Sequence, residues 1–255
     1  MLNSNIATYR LDEALSRDKC PLCRICRKYS EKYIWNLIYI DSSDKIILKK
    51  FAASSGFCKE HIQLLMKIIK NHSLVSRSDA ARFYETIIPE FLNNLTLVRN
   101  KKYSLTNILE FLTKPNNSMK FNITTNKRIQ PNSNCMACQA VAKSLNSNIE
   151  ILIQKLTQDK EYCNLYRRSE GLCIPHFKKV IDYINDENLI SNVKEFLIKD
   201  QKKRLRLLLV NLQQLQEKKR YDVKTKIKKY EANSWYEAAW RFSGWKPDKL
   251  LTRFN

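Results

Sequence analysis

The sequence predicts an all-α fold of two repeated helical modules followed by long basic C-terminal helices. Three observations predict it. Glycine (3) and proline (6) are scarce among 255 residues, leaving few of the turns a many-stranded protein needs. Apolar residues recur at three- and four-residue steps, the spacing of one helix face. A cysteine–histidine figure is also written twice: Cys20-Pro21-Leu22-Cys23 and Gly56-Phe57-Cys58-Lys59-Glu60-His61 return as Cys135-Met136-Ala137-Cys138 and Gly171-Leu172-Cys173-Ile174-Pro175-His176, each position 115 later. The first and third cysteines of each figure are 38 residues apart in both copies.

Taken in order, Leu11 to Arg17 predicts a short helix before the first cysteine pair. From Pro21, the residues Leu22, Ile25, Tyr29, Tyr33, Leu37 and Ile40 form one face. Asp41-Ser42-Ser43 is a break and cap, and Ile46, Ile47 and Phe51 mark a short helix. Ser54-Ser55-Gly56 is a turn in which Gly56 supplies a backbone angle that other residues resist. His61 then falls in the first turn of a helix whose face is Leu64, Leu65 and Ile68. A longer helix, started by Ser78 or Asp79, buries Phe83, Ile87, Phe91, Leu95 and Val98, with Pro89 inside it. Leu105 to Leu112 reads as a further helix. The Asn-, Ser- and Pro-bearing stretch that follows is a connector.

The second copy repeats the plan. Val141, Leu145, Ile149, Leu152 and Leu156 make the stripe, Glu161 to Arg168 the short helix, and Cys173 to Ile184 the returning one. A long segment from Asp186 follows. Its patch from Leu205 to Leu212 is apolar almost all round, which predicts burial on more than one side. In the last helix Trp235, Ala239 and Phe242 share a face, expected to pack into the core, the alternative being an exposed aromatic face for stacking on bases or docking a partner, with Gly244 ending the helix. The expected organisation is a first metal-binding module at 1–113, a connector at 114–134, a second module at 135–185, and C-terminal helices with a tryptophan-containing tail at 186–255.

CxxC holds two sulfurs on one turn at a separation that suits one ion, and GxCxxH adds a sulfur and an imidazole. The expected ligands are Cys20, Cys23, Cys58 and His61 for one ion and Cys135, Cys138, Cys173 and His176 for the other. Each set is Cys3His, closed and structural in the way of zinc sites, so two zinc ions are expected. An iron–sulfur cluster on the same ligands is the alternative cofactor. Cys26 and Cys163 correspond to Val141 and Leu48 in the other copy, so both are expected to be buried free thiols. There is no P-loop, GxSxG or HExxH, and no carboxylate is paired with an open metal position. An enzyme is not expected.

Forty-six Lys and Arg against 25 Asp and Glu give a net charge of +21, which attracts polyanions. The residues offered for binding nucleic acid, RNA or DNA, are Arg24, Arg27, Lys28, Arg167, Arg168, Lys202, Lys203, Arg204, Arg206, Lys218, Lys219 and Arg220. A protein partner or homodimer through the long C-terminal helix is the competing expectation. Apolar runs are far too short to span a bilayer, and the first residues carry no secretory pattern. A cytoplasmic chain without a membrane partner is therefore expected, and reduced cysteines there favour metal over disulfides.

With these residues in view, the chain resembles an uncharacterised family of bacterial and archaeal proteins carrying paired CPxC and GFCxxH modules. Cys20-Pro21-Leu22-Cys23, Gly56-Phe57-Cys58, His61, Gly171-Leu172-Cys173, His176-Phe177 and the closing Glu231, Ser234-Trp235, Ala238 and Gly244 carry the similarity. Met136 departs from it, standing where the pattern has proline. The resemblance implies a helical metal-binding protein and no particular activity.

Overall fold

A computed structural model describes residues 2–54, 56–94, 135–186, 191–219 and 225–244, and among them every regular element is a helix. The order is α1 (Leu2–Leu15), α2 (Pro21–Tyr39), α3 (Lys45–Ala53), α4 (Lys59–Asn71), α5 (Arg77–Asn94), α6 (Met136–Gln158), α7 (Lys160–Arg168), α8 (Ile174–Asp186), α9 (Ser191–Lys218), α10 (Lys229–Ala232) and α11 (Ser234–Ser243). The helix expected at Leu105 to Leu112, the connector 114–134, and Leu95, Val98 and Arg220 lie outside the described residues, as does the side chain of Phe91.

The duplication is structural as well as textual. Shifted by 115, α3 falls on α7 and α4 on α8 from first residue to last. Asp44 caps α3 by accepting from the amides of Ile46 (2.7 Å) and Ile47 (3.2 Å), and Asp159 caps α7 from Glu161 (2.8 Å) and Tyr162 (3.2 Å). Such a cap satisfies amides that the first helical turn leaves without partners. The cap is thus Asp44 itself, just after the expected Asp41–Ser43 break. Ser54 and Ser169 close the other ends, each donating its hydroxyl at 2.7 Å to the carbonyl of residue 51 or 166. The chain then turns through Gly56 at φ +88° and Gly171 at φ +69°, a region where a β-carbon is strained.

Contacts divide the chain into two compact units: residues 1–30 with 140–255, and residues 31–139. The division falls inside α2 and α6, so the units are not the consecutive modules expected from the order of the motifs. In the first unit, Leu11 and Leu15 of α1, Ile149 and Leu152 of α6, Val180 and Ile184 of α8, and Leu197 of α9 share one core with Tyr166 and Trp240. Arg204 of α9 ties α7 down. Its guanidinium pairs with Asp200 and donates to the carbonyls of Ser169 (2.6 Å), Tyr166 (3.1 Å) and Arg167 (3.2 Å) at the C-terminal end of α7. In the second unit, Ile34, Leu37 and Ile38 of α2 pack with Leu64, Leu65 and Ile68 of α4. Phe51 meets Phe57, Phe83 and Tyr84 edge-on, with ring centroids 4.9 to 5.8 Å apart. Each such pair adds about 0.5–1.5 kcal/mol to simple burial.

Two expectations about the C-terminal helices are corrected. The Leu205–Leu212 stretch is not buried on several sides: Leu208 is buried, but Leu207, Leu209 and Val210 are exposed. The Trp235–Ala239–Phe242 face of α11 points outward, with Trp235 57% and Phe242 63% exposed. Trp240 and polar anchors, not Trp235 and Phe242, face inward on α11. Glu231, 1% exposed, accepts two bonds from Lys218 Nζ (2.7 and 2.9 Å), and Arg241 donates to the Glu170 carbonyl at 3.0 Å. Ser234, Trp240 and Arg241 are the buried residues of α11.

Candidate metal centres

Both cysteine pairs stand at the starts of long helices, and both CxxH segments begin the helices after the glycine turns. Cys20 precedes α2 and Cys23 lies in its first turn; Cys135 and Cys138 hold the same places on α6. Cys58 and Cys173 precede α4 and α8, which carry His61 and His176 one turn in. Helix N-termini direct amides and positive dipole toward these sulfurs, which favours thiolate.

The structure gathers all eight residues, but not in the two sets expected. One group is Cys20, Cys23, Cys173 and His176, and the other is Cys58, His61, Cys135 and Cys138. Each CxxC therefore closes on the CxxH of the other repeat. In the first group, within the first unit, His176 Nδ1 lies 3.6 Å from Cys20 Sγ, 3.2 Å from Cys23 Sγ and 3.2 Å from Cys173 Sγ, and the Cys23 and Cys173 sulfurs are 3.6 Å apart. In the second, within the second unit, His61 Nδ1 is 3.1 Å from Cys58 Sγ, 3.6 Å from Cys135 Sγ and 3.3 Å from Cys138 Sγ, and the Cys58 and Cys138 sulfurs are 3.6 Å apart.

The reason for the crossing is that a helix is a rod. Cys58 packs in the core formed by Ile34, Leu37 and Ile38 near the C-terminal end of α2, whereas Cys20 and Cys23 stand at its start. Fifteen residues of helix, from Cys23 to Ile38, extend about 22 Å. In the second repeat Cys173 likewise shares a core with Ile149, Leu152 and Ile153 of α6, away from Cys135 and Cys138 at that helix's start.

Crowding of sulfurs splits their proton affinities. Burial pushes the Cys20 thiol up to about 12, and hydrogen bonding with Cys173 and Cys20 holds Cys23 protonated too. Bonds from Cys20 and Cys23 hold Cys173 as thiolate. In the other group burial raises Cys58 and Cys138. Burial also opposes ionisation of Cys135, but the bond from His61 and backbone amides outweigh it and bring this thiol down to about 6. Each group thus offers one thiolate, two thiols and an imidazole whose Nδ1 faces all three sulfurs. A cation arriving there would displace the thiol protons.

Several surrounding residues were not legible beforehand. Lys19 holds a positive φ of 71° immediately before Cys20. Its ammonium lies 5.3 Å from the ring centroids of both Tyr236 and Trp240 and 3.7 Å from a Glu170 carboxylate oxygen. No local propensity marks a lysine for that conformation; it is held from the far end of the sequence. Cys26 and Cys163 lie outside the ligand groups as expected but are half-buried, not buried; Cys26 places its sulfur 3.9 Å from His176 Nε2. Cys163 donates to the Leu156 carbonyl at 3.3 Å.

The basic residues offered for nucleic acid do not form one set. Arg24 bonds the Asp18 carbonyl, Lys28 pairs with Glu13 at 2.7 Å, and Arg204 and Lys218 are engaged as described above. Arg27 is half-buried; Arg167 lies on the Phe196 ring at 4.9 Å. Arg168, Lys202, Lys203, Arg206 and Lys219 are exposed.

A family model for a family of unknown function, DUF6062, matches residues 3–243. The chain belongs to DUF6062. The match takes in all eight residues of the two groups together with Glu231, Ser234 and Trp235. No curated protein and no solved structure matches this DUF6062 chain. Among its described residues no helix is long and apolar enough to cross a membrane.

Proposed function

We propose that this DUF6062 member is a non-catalytic zinc protein in which two Cys3His sites, one in each unit, hold helices together. The observation that carries this reading is the spacing of the donor atoms. Ligands on one tetrahedral zinc, with bonds of about 2.3 Å to sulfur and about 2.0 Å to nitrogen, stand about 3.8 Å (S to S) and about 3.5 Å (S to N) apart. One sulfur pair in each group is separated by 3.6 Å, and the sulfur–imidazole distances run from 3.1 to 3.6 Å. A four-iron cluster would place its ligands on four separate irons, wider apart than donors that all lie within 4.8 Å of one another. That favours one ion per site over the iron–sulfur alternative. A closed set of four protein ligands leaves no coordination position for a substrate, which supports a structural role. Metal analysis of freshly purified protein tests the reading: two zinc ions per chain and no visible absorption are expected, and brown protein with iron and sulfide would overturn it.

A second reading concerns partners. Exposed Leu207, Leu209 and Val210 on α9, and Trp235 and Phe242 on α11, favour docking of a protein through the C-terminal helices over a polyanion, because Lys218 and Arg204 are spent internally. Association that survives high salt supports this reading. Retention of RNA or DNA whose affinity falls steeply with salt would reverse it.

A further inference from the structure

The two groups share ligands and geometry but not surroundings. In the first, all three cysteines are buried. Cys26 backs the outer nitrogen of His176, and a β-carbon on Gly244 would meet Cys23 Sγ at 3.9 Å, so the end of α11 lies against that sulfur. In the second, Cys58 and Cys135 are buried too but Cys138 is half-buried; the histidines, His61 and His176, are half-buried in both. The carboxylate of exposed Glu60 lies 3.7 Å from Cys58 Sγ. The corresponding positions are exchanged in kind: Glu60 matches Pro175, and Cys26 matches Val141. One group therefore has a thiol behind its histidine and no carboxylate, and the other a carboxylate beside its sulfur and no thiol.

We propose that the Cys58–His61–Cys135–Cys138 site is an exchangeable site for a thiophilic divalent cation, while the Cys20–Cys23–Cys173–His176 site keeps its ion for as long as the protein is folded. The inference rests on the reading that both groups bind metal. Closed tetrahedral thiolate sites exchange slowly unless an incoming donor shares the ion before a ligand leaves. Glu60 supplies an oxygen donor of the kind zinc accepts, on the exposed side and next to a sulfur. It can hold the ion as the Cys58 bond opens, and the thiolate takes a proton from solvent when the ion departs. In the other site the hydrogen bond between His176 and Cys26 fixes the imidazole, as outer partners of metal-bound histidines do, and buried sulfurs give an incoming chelator no approach.

The test uses the full chain loaded with two zinc ions and challenged with a chromophoric chelator in the presence of iodoacetamide. Release in two resolved phases of equal amplitude is expected. Peptide mass mapping after the first phase should find Cys58, Cys135 and Cys138 alkylated and Cys20, Cys23 and Cys173 intact. Glu60→Gln, a surface change that leaves all ligands in place, should slow the first phase and spare the second. A single release rate for two bound ions, early alkylation of Cys20, Cys23 or Cys173, or a first phase unmoved by Glu60→Gln would overturn the proposal while leaving the metal reading intact. Protein that binds no metal would bring down the metal reading itself.

Discussion

The crossed pairing can be tested by counting ions in two double variants. Cys23→Ser with Cys173→Ser strikes one group twice, since those sulfurs are 3.6 Å apart. Cys23→Ser with Cys58→Ser strikes each group once. Small zinc modules bind with about 10–16 kcal/mol, so each of four ligands carries on average about 2.5–4 kcal/mol, and losing one weakens a site roughly 10²- to 10³-fold. Free zinc is buffered so that an intact site stays filled and a site short of one ligand empties. Zinc content is then read by mass spectrometry under native conditions, with helicity recorded alongside. The first variant should retain one ion and the second none. Pairing within each repeat demands the reverse, so one ion held by Cys23→Ser/Cys58→Ser and none by Cys23→Ser/Cys173→Ser would refute the arrangement.

Three further outcomes follow from the same geometry. Near pH 8, with Cys20, Cys23, Cys58 and Cys138 raised and Cys135 and Cys173 lowered, each ion should displace roughly two thiol protons. Affinity should accordingly rise with pH, and calorimetry in buffers of different ionisation enthalpy counts the protons; a count near zero is incompatible with this thiol assignment. Gly171→Ala should cost about 2–4 kcal/mol, the positive φ contributing about 1–2 kcal/mol, because the new β-carbon would stand 2.7 Å from the Nε of pinned Arg204. Gly56→Ala, whose nearest neighbour is Ile87 Cδ1 at 3.2 Å, should cost less, and equal losses in urea unfolding would contradict the role given to Arg204. The hydrogen bonds from Lys218 and the Lys228 amide hold the Glu231 carboxyl below its ordinary 4.5. Its contribution is therefore present above the usual carboxylate range and lost as pH falls through the lowered value. Tryptophan fluorescence should report loosening of the α10–α11 tail on acidification, and Glu231→Gln should be loosened already at neutral pH.

The element order was legible because the apolar periodicity is long and the duplication checks each assignment against its copy. All eight ligands were legible for the same reason. Their partition was not. What favours local pairing is loop closure, and reaching across about 150 residues instead of 38 costs only about 1.2 kcal/mol more. Against binding of about 10 kcal/mol or more that preference is small. The stiffness of α2 and α6, which carries each CxxC away from its own CxxH, outweighs it. A 19-residue stripe beginning in the CxxC held that information. The outward aromatics of α11 were hidden for another reason: Trp235, Ala239 and Phe242 have the right spacing for a buried face, but the helix turns Trp240 into the core and Arg241 onto the distant Glu170 carbonyl instead.

Crossed ligation also bears on synthesis. Cys23 must wait for Cys173, 150 residues later, which at about 5–20 residues per second is roughly 8–30 s. Through part of that interval the growing polypeptide displays Cys20, Cys23, Cys58 and His61 without Cys135, Cys138, Cys173 or His176, a foursome the finished molecule never uses. Zinc delivered to the ribosome-bound chain would be captured by the wrong donors and would have to be surrendered. Zinc delivered after release finds all eight donors on the chain.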